Sequence, residues 1–212
     1  MYSQQQQKFL DLLYSKNQQI NLVSRQLSRA DLDYHWQDAL AGQNLIKPGK
    51  TCLDIGSGGG FPALPLAIAN PQTQFILLEA EQKKVKWLLE AKQEMELLNV
   101  EIIRGRAETL ARDAKLRERF EIVTARAVAE LRVLLEYSLP FVLVGGVLIS
   151  WKGPALDDEL ALAEEALKEL KGRVKERHPY TINDEARCLL VIEKNATLAA
   201  KYPRPEGTPR KR

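Results

Sequence analysis

The stretch Cys52-Leu53-Asp54-Ile55-Gly56-Ser57-Gly58-Gly59-Gly60-Phe61-Pro62 decides how this chain folds. A short apolar run, Thr51–Ile55, carries one acid near its end and opens into glycines. Pro62 follows, where it suits the first turn of a helix. Strand, glycine loop and helix in that order form the context a cofactor-binding turn needs. Glycine admits positive φ and lets a ligand lie against the backbone. A dinucleotide loop, G-x-G-x-x-G, would place its third glycine where this chain has Phe61. The pattern is instead D-x-G-x-G-x-G. The Asp54 carboxylate would oppose a pyrophosphate, but it suits a cationic amino-acid ligand, directly or through water.

Outward from the loop, apolar runs alternate with helical patterns. Strands are expected at Thr73–Leu78, Val100–Arg104 and Glu121–Thr124, with a further strand inside Val142–Trp151 after a turn at Gly145-Gly146. Helices are expected over about Pro62–Ala69, Glu81–Leu98, Ala129–Ser138 and Leu156–Leu170, with an irregular charged helix reaching Arg119. Two closing strands, near Val174–Thr181 and Arg187–Glu193, have no helix between them and should pair as a hairpin. Such alternation predicts an α/β fold, a mostly parallel seven-stranded sheet with helices on both faces. Ending in a hairpin, it resembles the Rossmann-like form of class I methyltransferases, by analogy of fold. Ahead of it lies an N-terminal helical extension, interrupted over Asn17–Ser24 and restarted by a capping box at Ser28 and Asp31. The organisation expected is residues 1–47 helical, 48–200 the cofactor-binding domain, and 201–212 a basic Pro-rich tail.

Other residues join the loop. Glu79 ends the second strand, where an acid can bind ribose hydroxyls. Ala107 and Glu108 follow the third strand, where backbone and a short polar side chain can meet an adenine ring. The glycine pattern and the Asp54 carboxylate favour S-adenosylmethionine, with S-adenosylhomocysteine as product, over a nicotinamide dinucleotide.

The bulk properties set limits. At 212 residues and 45% hydrophobic, the chain is long enough for a real core, and disorder throughout is excluded. Net charge is +3, a weak guide to partners. The tail from Lys201 to Arg212 gathers basic residues among prolines and is expected to stay mobile or to dock on a partner. Cys52 and Cys188 sit in apolar runs without any C-x-x-C or Cys/His cluster, so no metal is expected. No apolar run approaches membrane-spanning length, and no secretory core precedes the fold. A cytoplasmic protein without a membrane partner, acting as a monomer, is the expectation.

The chain resembles the bacterial small-subunit ribosomal RNA guanine-N7 methyltransferase family, called RsmG and formerly GidB. The resemblance runs through Ile20-Asn-Leu-Val-Ser24, His35 with Asp38, the loop from Asp54 to Pro62, and Lys83-Lys-Val-Lys-Trp-Leu88. It continues through Arg104-Gly-Arg-Ala-Glu108, Thr124-Ala-Arg126-Ala-Val128, Lys152-Gly153 and Lys201-Tyr-Pro-Arg204…Gly207-Thr-Pro209. It implies methyl transfer to N7 of one guanine in the decoding-region loop of 16S ribosomal RNA, on naked RNA or a small subunit. Cofactor contacts then fall on Gly56, Phe61, Ala107, Glu108 and Arg126, beside Asp54, Gly58, Gly60 and Glu79 from the residues themselves. Arg126 is the catalytic candidate, and Arg25, Lys83, Lys84, Lys86, Lys152 and Arg204 are the RNA-binding candidates. His35 and Asp38, one turn apart, are read as an orienting pair. Phe61 or Trp87 can stack on the base or pack in the core. A small-molecule methyltransferase and a non-catalytic ribosome-assembly factor remain open alternatives.

Overall fold

The computed structural model describes residues 4–24 and 27–209. Two helices, α1 (Gln4–Asn17) and α2 (Arg29–Leu40), precede the sheet. The Ser28 hydroxyl receives the Asp31 amide, while Asp31 accepts from the Ser28 amide at 2.6 Å, so the capping box starts α2. There follow β1 (Thr51–Ile55), α3 (Ala63–Ala69), β2 (Gln74–Glu79), α4 (Gln82–Glu94), β3 (Val100–Arg104), α5 (Ala107–Leu110) and β4 (Phe120–Arg126). The chain closes with α6 (Leu131–Ser138), β5 (Val142–Lys152), α7 (Leu156–Glu169), β6 (Gly172–Ile182) and β7 (Glu185–Lys194).

The seven strands lie in the order β3-β2-β1-β4-β5-β7-β6, parallel except for β7, which runs antiparallel between β5 and β6. Chain direction across the sheet reverses between β1 and β4, leaving a crevice at their carboxyl ends. Alternation along each strand divides the core. Cys52, Phe75, Leu77 and Ile122 point to the face covered by α1 to α4, where Phe9, Trp36, Leu64 and Trp87 pack. Leu53, Leu78, Val123 and Ala125 point to the other face, against Leu134, Leu135 and Leu160 from α6 and α7. With both faces covered, the central strands read as continuous apolar runs.

Three local readings are corrected. Helix α4 stops at Glu94, not Leu98. Glu96 takes φ 53° and the amides of Glu96 and Leu97 return to the carbonyls of Gln93 and Lys92, a Schellman end built on glutamate where glycine is usual. The charged segment reaching Arg119 is helical only over Ala107–Leu110, and then turns around Asp113. Gly145 and Gly146 lie within β5, at a bulge against Phe120 and Ile122; a Cβ on Gly146 would stand 2.9 Å from the Glu121 carbonyl.

The tail is also different from its expectation. Tyr202 and Pro203 are buried, Arg117 donates to the carbonyls of Leu198, Ala199 and Tyr202, and Arg112 donates to that of Pro203. The described part of the tail is therefore docked on its own domain.

Candidate active site

The glycine loop is shaped by backbone hydrogen bonds. Gly56 and Ser57 amides donate to the Leu78 carbonyl at 2.8 and 3.2 Å, and the Gly60 amide donates to Ser57 at 2.7 Å. Gly56, Gly58 and Gly60 all have positive φ. At Gly60, φ is 100° and a Cβ would meet Leu64 Cδ1 at 2.5 Å, so only glycine lets the loop close onto α3. The buried Trp87 indole donates to the Gly59 carbonyl at 3.1 Å, which places Trp87 in the core and not on a base-stacking surface.

Glu79 ties this loop to α4. Its Oε2 accepts from the Gly58 amide at 2.9 Å and its Oε1 from the Glu81 amide at 2.8 Å. A carboxylate has further lone pairs, so hydroxyls of a ligand can still be received there. Glu79 lines a cavity of about 420 Å³ together with Gly56, Ala107, Glu108, Tyr137 and the tail residues Glu206 and Gly207. Arg106 pairs with Glu206 at 3.1 Å and Glu108 accepts from the Gly207 amide at 3.4 Å, so the docked tail forms one wall of this cavity.

Asp54 lies beneath the loop and lines none of these cavities. The Thr124 hydroxyl donates to its Oδ1 at 2.7 Å, whereas Oδ2 is buried without a hydrogen-bond partner. Burial, reinforced by the negative charge of Glu79, pushes its carboxyl up to about 7.

A second cavity, about 310 Å³, adjoins the first through Gly56, Lys84 and Ala127, and is walled by Leu22, Val23, Gly58, Phe61, His35 and Arg126. The Asn17 side chain holds the Leu22–Ser24 wall by accepting from the Leu22 and Val23 amides and donating to the Ser24 carbonyl. A third, about 320 Å³, adjoins the second through His35, Arg126 and Ala127, and is walled by Tyr34, Trp151, Lys152, Glu159 and Arg187. Ala127 borders all three with φ 55°, a conformation that alanine seldom adopts. A larger cavity of about 460 Å³ lies at the amino ends of β1 and β4, beside Lys50 and Glu121, remote from the loop.

Arg126 ends β4 at the junction of the second and third cavities. Its Nε lies 3.1 Å from Asp38 Oδ2, Nη1 donates to the His35 carbonyl at 3.2 Å, and Nη2 to His35 Nδ1 at 2.5 Å. Its guanidinium also stacks over the Phe61 ring, 5.5 Å from the centroid. Asp38 is fully buried. It receives the Tyr180 hydroxyl at 2.6 Å and Arg187 Nε at 3.3 Å, while its carbonyl accepts from the Trp151 indole at 2.7 Å. His35 and Asp38 thus both grip Arg126. Burial lowers the basicity of His35 to about 4, assisted by the adjacent Arg126 charge.

The RNA-binding candidates divide. Lys83 and Lys86 are exposed on α4, and Lys84 pairs with Glu81 at 2.8 Å while lining the first two cavities. Lys152 is buried against Glu159 at 2.6 Å, and Arg204 forms a two-pronged pair with buried Glu136. Both are engaged internally. Arg25 lies outside the described residues. Sequence reasoning missed Tyr180, Arg187, Trp151, Ala127 and the tail wall.

The family description rRNA small subunit methyltransferase G matches residues 2–187. The chain is 38% identical over 214 residues to ribosomal RNA small subunit methyltransferase G of Leuconostoc citreum, covering 99% of this chain and 90% of that protein. It belongs to the small-subunit rRNA methyltransferase G family. Another member, from Deinococcus radiodurans, is 40% identical, with 98% of this chain and 84% of that protein covered. Among solved structures, an O-methyltransferase from Bacillus cereus in complex with SAH superposes with TM-score 0.63 at 18% identity, over 88% of this chain and 90% of that one. M. jannaschii TYW2 in complex with AdoMet gives 0.61 at 14% identity, over 80% and 78%. These two likenesses show that the chain has the fold of those methyltransferases.

Proposed function

We propose that this chain transfers a methyl group from S-adenosylmethionine to N7 of a guanine in 16S ribosomal RNA. The observation that carries this reading is the row of three adjoining cavities at the carboxyl edge of the sheet, beside a D-x-G-x-G-x-G loop. The first takes the nucleoside part of the cofactor, with Glu79 toward the ribose and Ala107 and Glu108 toward the base. The second takes its amino-acid end. The unpartnered Oδ2 of Asp54 offers an acceptor behind the loop for a cationic ammonium, reached through water. The third takes the guanine.

When bound, S-adenosylmethionine supplies an electrophilic methyl on a sulfonium, whose sulfur retains the carbon–sulfur electron pair as the methyl leaves. Guanine N7 attacks with a lone pair and carries no proton, so no general base is required. The protein acts by alignment and by fixed polar groups, since a near-attack geometry alone lowers the barrier by several kcal/mol, about 7 or more in favourable cases. Arg126 acts from the cavity wall as a positioning residue. Lys83 and Lys86, with Lys84, meet RNA phosphates, which position without reading sequence.

The test is transfer of labelled methyl to small ribosomal subunits from a strain lacking this protein, with the product mapped. Label at guanine N7, falling steeply with added salt, supports the reading. Cofactor binding without label on RNA moves the chain to a small-molecule substrate.

A further inference from the structure

The three nitrogens of Arg126 are engaged with Asp38 and His35, and its side chain is 10% exposed. That geometry has a consequence for His35. A guanidinium carries donors only, so the 2.5 Å contact from Arg126 Nη2 makes His35 Nδ1 the acceptor and leaves the ring proton on Nε2. The imidazole lies between Tyr34 and Phe61, with centroids 5.5 and 5.7 Å away, which fixes its plane. Among the described residues Nε2 has no hydrogen-bond partner, and the residue lines both the second and the third cavity.

We infer that His35, locked by Arg126 as a neutral Nε2–H donor, reads O6 of the target guanine and leaves N7 free for the methyl. The inference rests on the proposed function. O6 is the acceptor beside N7 on the same edge of guanine, whereas adenine presents an amino donor there. A donor held in one tautomer donates to the first and repels the second. Neutrality matters as well, because the purine gains positive charge as the N7–carbon bond forms, and a cationic donor would oppose it. The groups facing the ring are Arg126 on β4, Asp38 and Asp31 on its own helix, and Arg187 on β7; the two arginines disfavour a second ring proton and the two acids favour it. Burial and the arginines prevail, and the donor stays neutral at physiological pH.

The experiment compares small subunits reconstituted with guanine or with 2-aminopurine, which lacks O6, at the mapped position. With wild-type protein, loss of O6 should lower kcat/KM about tenfold, the worth of one hydrogen bond lost in a desolvated site. His35→Ala should lose about as much on guanine and nothing further on 2-aminopurine, while His35→Gln, whose amide can donate, should recover most of the loss. Cofactor titration of each variant checks that the site is intact. If His35→Ala keeps the full discrimination, so that the two losses multiply, the inference is overturned. If it fails to bind cofactor, His35→Gln decides: recovery of discrimination supports the role, and its absence in a cofactor-binding variant refutes it. Absence of N7 label with wild-type protein would instead overturn the proposed function.

Discussion

The two halves of the crevice are built by different means. On the β1–β2–β3 side the walls are mostly backbone: a glycine loop drawn to the Leu78 carbonyl, clamped by one carboxylate at Glu79. On the β4–β5–β7 side they are side chains gathered around one buried acid, Asp38, with Arg126, Tyr180 and Arg187 contributed by three different strands. A backbone cradle suits a ligand common to many enzymes, because peptide groups have a fixed geometry. A side-chain cluster suits a substrate particular to one family. Variants in the two halves should therefore fail differently.

The largest effect is expected at Asp38. Asp38→Ala leaves two guanidiniums and a phenol around an apolar methyl, and breaking a buried ion pair from one side costs about 3–5 kcal/mol. Urea denaturation measures it; a midpoint unchanged from wild type would mean that the cluster is not held by this acid. Next comes Gly60→Ala, which forces a side chain into a conformation with φ 100° and against Leu64. A loss of about 1–3 kcal/mol is expected, with weaker binding of S-adenosylhomocysteine. Gly49→Ala is the control, since its φ is also positive, at 75°, but no atom stands within 4 Å. It should be the milder variant and leave cofactor affinity alone.

Asp54 gives the cradle a pH signature. Its folded carboxyl is raised from 3.8 to about 7, so between those values the folded state holds a proton that the unfolded chain has released. Stability from this group is thus present at low pH and is lost as pH rises through that window. Attraction for the ammonium end of the cofactor runs the other way and strengthens as the acid ionises. Affinity for S-adenosylhomocysteine should rise about tenfold from pH 6 to 7.5, and Asp54→Asn should flatten the profile. The smallest effect is at the tail. Arg204→Ala frees the strap that carries Glu206 and Gly207 to the cavity wall, and should weaken cofactor binding by about 1 kcal/mol in calorimetry, without changing the salt dependence of RNA binding.

The same contrast explains what could be read from sequence. The cradle is contiguous: strand, loop and helix occupy one short segment, and Glu79 follows at the end of the next strand. The mostly parallel sheet followed from alternation of strands and helices, and the hairpin from a missing helix. The Asp38 cluster left no such trace. Arg187 lies 149 residues from Asp38 and meets it because β7 inserts between β5 and β6. Each member alone is an ordinary charged or aromatic residue. The end of α4 was misplaced because a glutamate stands where glycine usually signals the stop. The tail was misread because its prolines and basic residues have the composition of a mobile segment, while Tyr202, Arg112 and Arg117 together give it a docking seat.

The measurement that tests this division most directly is made on Arg126→Lys, which keeps a cation beside Asp38 but cannot also span the carbonyl and Nδ1 of His35. Binding of S-adenosylhomocysteine is measured by calorimetry, and methyl transfer to small subunits in a single turnover. The account predicts unchanged affinity and a transfer rate lower by about a hundredfold, the scale of a misplaced reacting group. Loss of cofactor affinity equal to the loss of rate would contradict it, and would return Arg126 to the cofactor's own half of the crevice.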